Sequence, residues 1–453
     1  MTARSVSALR VAAAVAVVSA VGGARATEPG PGPQPIAPDT PAFRAPAEPP
    51  RPGAEDAVPP AEAEGPLTLE AALALALAES PELSGWSWAA RAKEAHELQA
   101  GRIPNPEVEV RLVHRERPAP DDDEARQRVI VSQVFEIGGK RERRVALAAS
   151  ERELAEWDYE AARTEVATAV AARFAAVLGA QRRADSSRQF VEFLERTRSK
   201  IQALVDNGSM RVLELHQVAR QLGLARIERQ EAEASLAAAR FLLAATWGGT
   251  SPRFTAAVGD LEPVPPVPGL DTVFELARHG PALARWDSEL EHGAAALALA
   301  RAGRVPDLTY GVGVRWNDQP STRDYLVDLE IALPIFDRKR HEIRQARYDL
   351  ARAQAERRAA EAGSSAAIAA AYYRLVESRA RCATLADEVL PAARSTFDAL
   401  AVGFERQASD VGDLLDARRD LARAEADHAA ALVAHRQAWA ELEALVGQGL
   451  AGE

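Results

Sequence analysis

Large apolar residues recur at every second position along two neighbouring stretches of this chain. In 308–316, Leu308, Tyr310, Val312, Val314 and Trp316 share one face, and Thr309, Gly311, Gly313 and Arg315 share the other. In 325–333, Tyr325, Val327, Leu329, Ile331 and Leu333 oppose Asp328, Glu330 and Ala332. This period of two predicts a pair of β-strands, each with one apolar face. Strands of roughly nine or ten residues suit a tilted barrel strand crossing a bilayer. An earlier pair has the same character: Val108, Val110 and Leu112 alternate with Glu107, Glu109 and Arg111, and a loop with Pro118, Pro120 and Asp121-Asp122-Asp123-Glu124 leads to Val129–Phe135. Four strands cannot close a barrel, for which about eight are needed. An open sheet would leave unpaired backbone in lipid. Strands in a membrane therefore require several copies of the chain.

The rest of the pattern is helical. Thr68 is placed to cap a first helix that carries Leu73, Leu75 and Leu77 and stops before Pro81; a second runs from about Glu82 to Gln99. From Lys140 to about Val205 there is no proline and a single glycine, Gly179. About 65 helical residues make a rod of roughly 100 Å, longer than any globular core requires. Asp206-Asn207-Gly208-Ser209 signals a tight turn, and a returning helix is expected from about Arg211 to Trp247, ending at Gly248-Gly249.

The series then repeats. Gly303-Arg304-Val305-Pro306 echoes Gly101-Arg102-Ile103-Pro104, and Trp286 stands where Trp86 stood. A helix near Asp271–His279, the second strand pair and a long helix from about Lys339 to Val402 follow, with Pro391 expected to kink the long helix. A turn over 403–409 precedes a last helix, Val411–Val446. The expected organisation is a signal peptide at 1–26, a Pro/Ala-rich disordered linker at 27–66, a first repeat at 67–250, a Pro-rich link at 251–268 and a second repeat at 269–449. The strands are expected at about 106–114 and 128–135 in the first repeat, and about 307–316 and 324–333 in the second. The class is mainly α with β, and the alanine-rich helices suit close side-by-side packing.

Composition narrows the compartment. Arg4 and Arg10 precede the short apolar run Val11–Val21, and Ala24-Arg25-Ala26 resembles a signal-peptidase site. About eleven apolar residues are too few for a spanning helix. Cleavage after Ala26 removes three arginines and lowers the formal charge from −11 to −14. An acidic exported chain with no basic stripe argues against nucleic acid as a partner. The single cysteine, Cys382, forms no intramolecular disulfide and reads as a small core residue.

Enzymatic constellations do not assemble. Gly138-Gly139-Lys140 lacks the upstream glycine of a phosphate loop, because position 134 is Val134; His341-Glu342 is followed by Gln345, not by a second histidine. The eight histidines show no close metal-ligand spacing. The acidic run 121–124 reads as a solvated loop. No cofactor and no bound metal are expected.

The duplicated pattern, the opening Leu67-Thr68-Leu69-Glu70-Ala71-Ala72 and the tip 404–417 resemble the TolC family of outer-membrane efflux channels over essentially everything after residue 66. Val131–Arg141, ending Gly138-Gly139-Lys140-Arg141, and Leu333-Pro334-Ile335-Phe336-Asp337-Arg338 resemble the CzcC-type branch associated with heavy-metal (cobalt-zinc-cadmium) efflux. The resemblance implies a homotrimer whose three sets of four strands form a 12-stranded outer-membrane barrel in lipid, joined to a periplasmic α-helical barrel. It implies a periplasmic adaptor and an inner-membrane RND-type pump as partners. It also implies adaptor-contacting tips at Asn207, Gly208, Ser209 and Met210 and at Gln407, Ala408, Ser409 and Asp410, and an acidic gate at Asp413 and Asp416. A ring of carboxylates at a constriction would favour cations, although acids at a helix N-terminus also simply favour the helix dipole. Gln407 stands where the family often has glycine. A conduit for organic drugs or secreted proteins, and a periplasmic coiled-coil scaffold without a pore, are the competing readings.

Overall fold

The computed structural model describes residues 64–112, 127–262, 264–278, 280–316, 323–406 and 408–450. The signal peptide, most of the expected linker, the acidic run 121–124 and Gln407 lie outside the described residues. In chain order the elements are β1 (Pro66–Leu67), α1 (Leu69–Glu79), α2 (Pro81–Ala100), β2 (Glu107–Leu112), β3 (Gln127–Phe135), α3 (Lys140–Asp206), α4 (Val212–Ala244), β4 (Ala256–Ala257), α5 (Leu270–Ala277), α6 (Pro281–Ala302), β5 (Leu308–Trp316), β6 (Arg323–Ile331), α7 (Arg340–Thr384), α8 (Leu390–Glu405) and α9 (Val411–Val446). The chain divides into a strand unit, 97–147 with 295–347, and a helical unit comprising 64–96, 148–294 and 348–450 among the described residues.

In the strand unit the sheet order is β2-β3-β5-β6, every pair antiparallel. β6 ends at Ile331, two residues before the expected end, and 113–114, the expected end of the first strand, lie outside the described residues. The outer edges of β2 and β6 have no partner among the described residues. Below the sheet, Gly138 and Gly139 take φ of 78° and 70°, the left-handed region that favours glycine. A Cβ on Gly138 would also stand 2.9 Å from Val305 Cβ. The Gly-Gly pair thus turns the chain from β3 into α3 against the second repeat. Lys140 Nζ then donates to Asp307 at 2.8 Å. Arg144 binds the Glu136 carboxylate through both terminal nitrogens and donates from Nε to the Ala100 carbonyl at 2.9 Å. The guanidinium holds the Glu136 carboxyl below its usual range.

In the helical unit, α3 is one uninterrupted helix of 67 residues. Thr68 caps α1, its hydroxyl accepting from the Ala71 N–H at 3.3 Å. Inside α1, Ala72 and Ala76 are fully buried, and Leu73, Leu75 and Leu77 pack at the margin of the core. One apolar cluster joins α1, α3, the end of α4 and α9 through residues such as Val170, Phe174, Leu243, Trp247 and Leu432. A second joins α5, α7 and α9 through Val273, Leu375 and Leu442. Gly179 is where α3 and α9 approach closely: a Cβ there would stand 2.4 Å from Val433 Cγ2. A short parallel pair, Pro66↔Ala256 and Leu67↔Ala257, ties the start of the first repeat to the link between repeats, a pairing too short to read from a sequence pattern.

The returning helix ends as expected, its last three residues tightening to a 3-10 turn before Gly248 at φ 80°. Pro391 acts differently from a simple kink. It lies in the first turn of α8, and the five residues before that helix, Leu385–Val389, widen into a π-turn. Proline lacks the N–H and crowds the carbonyl four residues back, and a π-turn accommodates both defects without ending the helix.

Cys382 is 3% exposed within the first cluster, and burial raises its thiol pKa, which suits an inert core residue. His435 is fully buried on α9, its Nδ1 3.2 Å from Ser378 Oγ of α7 and its ring tilted against Trp439. Burial, with Arg436 and Arg379 adding to it, depresses its pKa from 6.5 to about 4. The unfolded chain therefore binds this proton first as pH falls. Stability from the neutral ring is fully present above about pH 6.5 and is lost on descending towards pH 4, by about 3 kcal/mol at most. Replacing His435 with Leu should flatten the fall in apparent Tm between pH 6.5 and pH 4; equal slopes for the two proteins would refute this.

Candidate functional site

The register of the sheet produces two chemically distinct faces. Directly opposed residues share a face, so Val110, Val129, Val314 and Tyr325 form one row, and Val108, Val131, Val312 and Val327 the next. Gln133, Tyr310 and Leu329, and then Phe135, Leu308 and Ile331, complete that face. Much of it is open to the surroundings of the single chain: Tyr325 is 83% exposed, Val327 69% and Leu329 65%. Exposed apolar surface on this scale marks an interaction with a membrane or another protein. Its interior polar group, Gln133, is satisfied by donating to the Pro104 and Val134 carbonyls at 2.8 and 3.0 Å.

The other face has the rows Arg111–Arg128–Arg315–Asp324 and Glu107–Ser132–Gly311–Asp328, with Thr309 opposite Glu330. Arg128 and Glu109 pair at 2.8 Å. Ile130, Val134 and Leu326 are the apolar exceptions here, and Ile130 is the buried one. It is 5% exposed because it lies over Gly311 and Gly313 of β5, whose missing side chains make room for it. A sheet with one apolar and one charged face suits lipid on one side and water on the other.

The two helix tips are held by a shared apolar cluster. Phe190, Val191, Leu194 and Ile201 of α3, Val218 and Leu222 of α4, and Val411 and Leu415 of α9 pack together, with Met210 and Phe404 at the margin. In the first tip Gly208 closes α3 at φ 72°, and the Ser209 N–H donates to the Leu204 carbonyl at 2.8 Å. Asn207, Gly208 and Ser209 are exposed, and Met210 is half-buried against the cluster. In the second tip Ala408 and Asp410 are exposed and Ser409 is half-buried; its Oγ occupies the space beside Gly403, 2.0 Å from where a Cβ would stand. Asp410 is the cap residue of α9, without a side-chain capping bond.

Asp413 and Asp416 are both exposed on α9, one turn apart, while Val411, Leu414 and Leu415 face the core. Asp416 pairs with Arg419; Asp413 has no ion-pair partner among the described residues. Asp420 continues the same exposed face one turn further on, an extension the sequence reading omitted.

Behind this face lies a group that sequence reasoning missed. Arg418 is 8% exposed, and its guanidinium carbon stands 5.7 Å from the rings of Phe190 and Phe397 and 6.0 Å from Phe193. One cation thus contacts aromatic side chains from α3 and α8 while belonging to α9. Glu425 is 4.0 Å away and accepts a bond from Ser186 Oγ at 2.9 Å. Burial lowers the Arg418 pKa. Helical period sets Arg418 on the face of Leu414 and Leu421, but the rings that cage it belong to other helices.

Among the described residues no group of three or more His, Cys, Asp or Glu side chains could hold a metal ion, and no helix is long and apolar enough to cross a membrane.

Comparison with known proteins fits these features. The model for the outer membrane efflux protein family matches residues 72–249 and 275–448, one match in each repeat. The chain is 31% identical over 389 residues to the cobalt-zinc-cadmium resistance protein CzcC of Cupriavidus metallidurans, covering 86% of this chain and 92% of that protein. Among solved structures, the outer-membrane channel OprN matches with a TM-score of 0.69 at 19% identity, over 84% of this chain and 90% of that one. CusC matches at 0.71 and 15% identity, over 84% and 92%. With its duplicated TolC-like fold and its two-faced strand sheet, this chain belongs to the outer membrane efflux protein family, whose members are outer-membrane channels and not enzymes.

Proposed function

We propose that three copies of this chain form the outer-membrane conduit of a tripartite pump that exports heavy-metal cations. The observation that carries the cargo reading is the near full-length similarity to a cobalt-zinc-cadmium resistance protein. The trimer is supported by the sheet itself: four strands with unpaired edges on β2 and β6 cannot end in lipid, whereas three such sheets joined edge to edge close a barrel. An RND-type inner-membrane pump supplies the transport energy, and a periplasmic adaptor joins it to this chain. The adaptor contacts Asn207, Gly208, Ser209 and Met210 at one tip and Gln407, Ala408, Ser409 and Asp410 at the other. The cargo test is growth of a deletion strain on cobalt, zinc and cadmium salts beside a panel of organic drugs. Sensitivity to the metals alone is expected; sensitivity to the drugs alone would replace the metal reading with a multidrug one.

Asp413 and Asp416 form the gate in this reading. Their exposure on the face of α9 turned from the core supports the assignment. Threefold copies would concentrate negative potential at a constriction. Because Asp416 is partly neutralised by Arg419, Asp413 has the larger effect. In planar bilayers, Asp413→Ala should lower the cation preference at low salt more than Asp416→Ala does. The double substitution should raise conductance several-fold. Conductance and selectivity unchanged in the double variant would remove the gate from these residues.

A further inference from the structure

The whole chain is acidic, at −11, yet the segments flanking the sheet in the strand unit reverse that sign. Segments 97–106, 136–147, 301–307 and 332–347 carry 12 Lys and Arg against 6 Asp and Glu. Three of these basic residues are engaged: Lys140 with Asp307, Arg144 with Glu136, and Lys339 with Glu342. Arg102, Arg141, Arg143, Arg338, Arg340 and Arg344 are exposed and have no ion pair among the described residues. Both repeats build the same feature from different residues: Lys140-Arg141-Glu142-Arg143-Arg144 opens α3, and Arg338-Lys339-Arg340 opens α7.

Apolar residues accompany these arginines. Ile137, Leu333 and Ile335 continue the odd-numbered series of the sheet's apolar face past the ends of β3 and β6. Ile335 is 60% exposed and Phe336 99% exposed, so nothing among the described residues covers them. An aromatic ring beside unpaired cations, continuous with a lipid-facing sheet, has the composition of a membrane interface. Helix-opening arginines also oppose the helix dipole, which favours anions at an N-terminus. An anionic partner would offset that penalty.

We propose that these segments form a basic collar that binds the headgroups of anionic phospholipids at the periplasmic leaflet of the outer membrane, with Ile335 and Phe336 set into the acyl boundary. The proposal rests on the reading that the apolar sheet face meets lipid. Phosphate is the shared chemistry, and the lipid is favoured over free phosphate because the cations adjoin uncovered apolar side chains. The contacts of both repeats, taken three times in a closed barrel, would make the collar continuous.

The test uses the full mature chain, purified in neutral detergent. Thermal stability and bound lipid, read by native mass spectrometry, are measured with phosphatidylglycerol, with phosphatidylcholine and with inorganic phosphate alone. The parent protein should retain phosphatidylglycerol about tenfold over phosphatidylcholine, with the preference falling as salt rises. Arg338→Gln, Arg340→Gln and Arg344→Gln combined should bring that ratio close to one. Neutralising Arg196, Arg198 and Arg220 of the helical unit, also exposed, should leave it unchanged. Equal retention of the two lipids by the parent, an unchanged ratio in the collar variant, or the same stabilisation by inorganic phosphate alone would each overturn the collar. A parent that needs no detergent to stay in solution would instead overturn the underlying membrane reading, so the two failures are distinguishable.

Discussion

Leu329→Arg should prevent stable assembly of the channel in the outer membrane, while Asp328→Asn, one residue away, should leave assembly intact. The two positions lie on opposite faces of β6. Leu329 is opposite Tyr310 in the apolar rows and is 65% exposed in the single chain; Asp328 is opposite Gly311 in the polar rows. An arginine on the lipid face near the middle of a bilayer costs about 2–4 kcal/mol, and a closed trimer incurs it three times. Asp328→Asn removes a carboxylate from the polar face, and with that face lining the proposed lumen it alters the field seen by passing ions. Folding yield into vesicles and the heat stability of the trimer in detergent measure the first effect, and single-channel selectivity the second. A Leu329→Arg trimer as heat-stable as its parent would show that this face does not meet lipid.

Gly313→Val should be nearly as damaging, for a steric reason. A Cβ on Gly313 would stand 2.5 Å from the Val129 carbonyl oxygen, 2.7 Å from Ile130 Cγ1 and 3.1 Å from Ile130 Cα. Two of these are backbone atoms of β3, so relief requires parting the central β3–β5 pair. Forced overpacking of this sort costs about 3 kcal/mol. Adding Ile130→Ala should restore part of the loss, since it removes the side-chain contact but not the carbonyl. Gly311→Ala provides the contrast. Its Cβ would meet Ile130 at 3.2 Å and Asp328 at 3.4 Å, distances that small side-chain shifts relieve. Denaturant midpoints of the three variants should fall in the order Gly311→Ala, the double variant, Gly313→Val. A Gly313→Val protein at the parental midpoint would contradict so close an approach of β3 and β5.

Gly313 also shows where sequence reading stops. The alternation of 308–316 assigns both glycines to the polar face, but it offers no reason for glycine there. The reason is Ile130, which breaks the alternation of β3 within the unbroken run Val129-Ile130-Val131. One irregularity explains the other only when β3 and β5 lie side by side. Gly179 is similar: a lone glycine in a 67-residue helix is legible, while its cause, Val433 some 250 residues later, is not. The tip acids Asp413 and Asp416 were legible as residues, and their exposure followed from helical period. The cage of Arg418 was not: helical period places it beside Leu414 and Leu421, but the rings of Phe190, Phe193 and Phe397 come from other helices.

The duplicated order of elements, the four strands with their two faces, and the long α3 and α9 helices are all written in the chain's local pattern. They depend on short-range periods of two and 3.6 residues, and on glycine and proline at the breaks, so they can be read a few residues at a time. The β2-β3-β5-β6 order, the close approaches at Gly138, Gly179 and Gly313, the Lys140–Asp307 link between repeats and the aromatic cage around Arg418 emerge only in the folded chain. Each joins residues far apart in sequence, and the free energy of such contacts depends on packing and desolvation, quantities that no local pattern encodes.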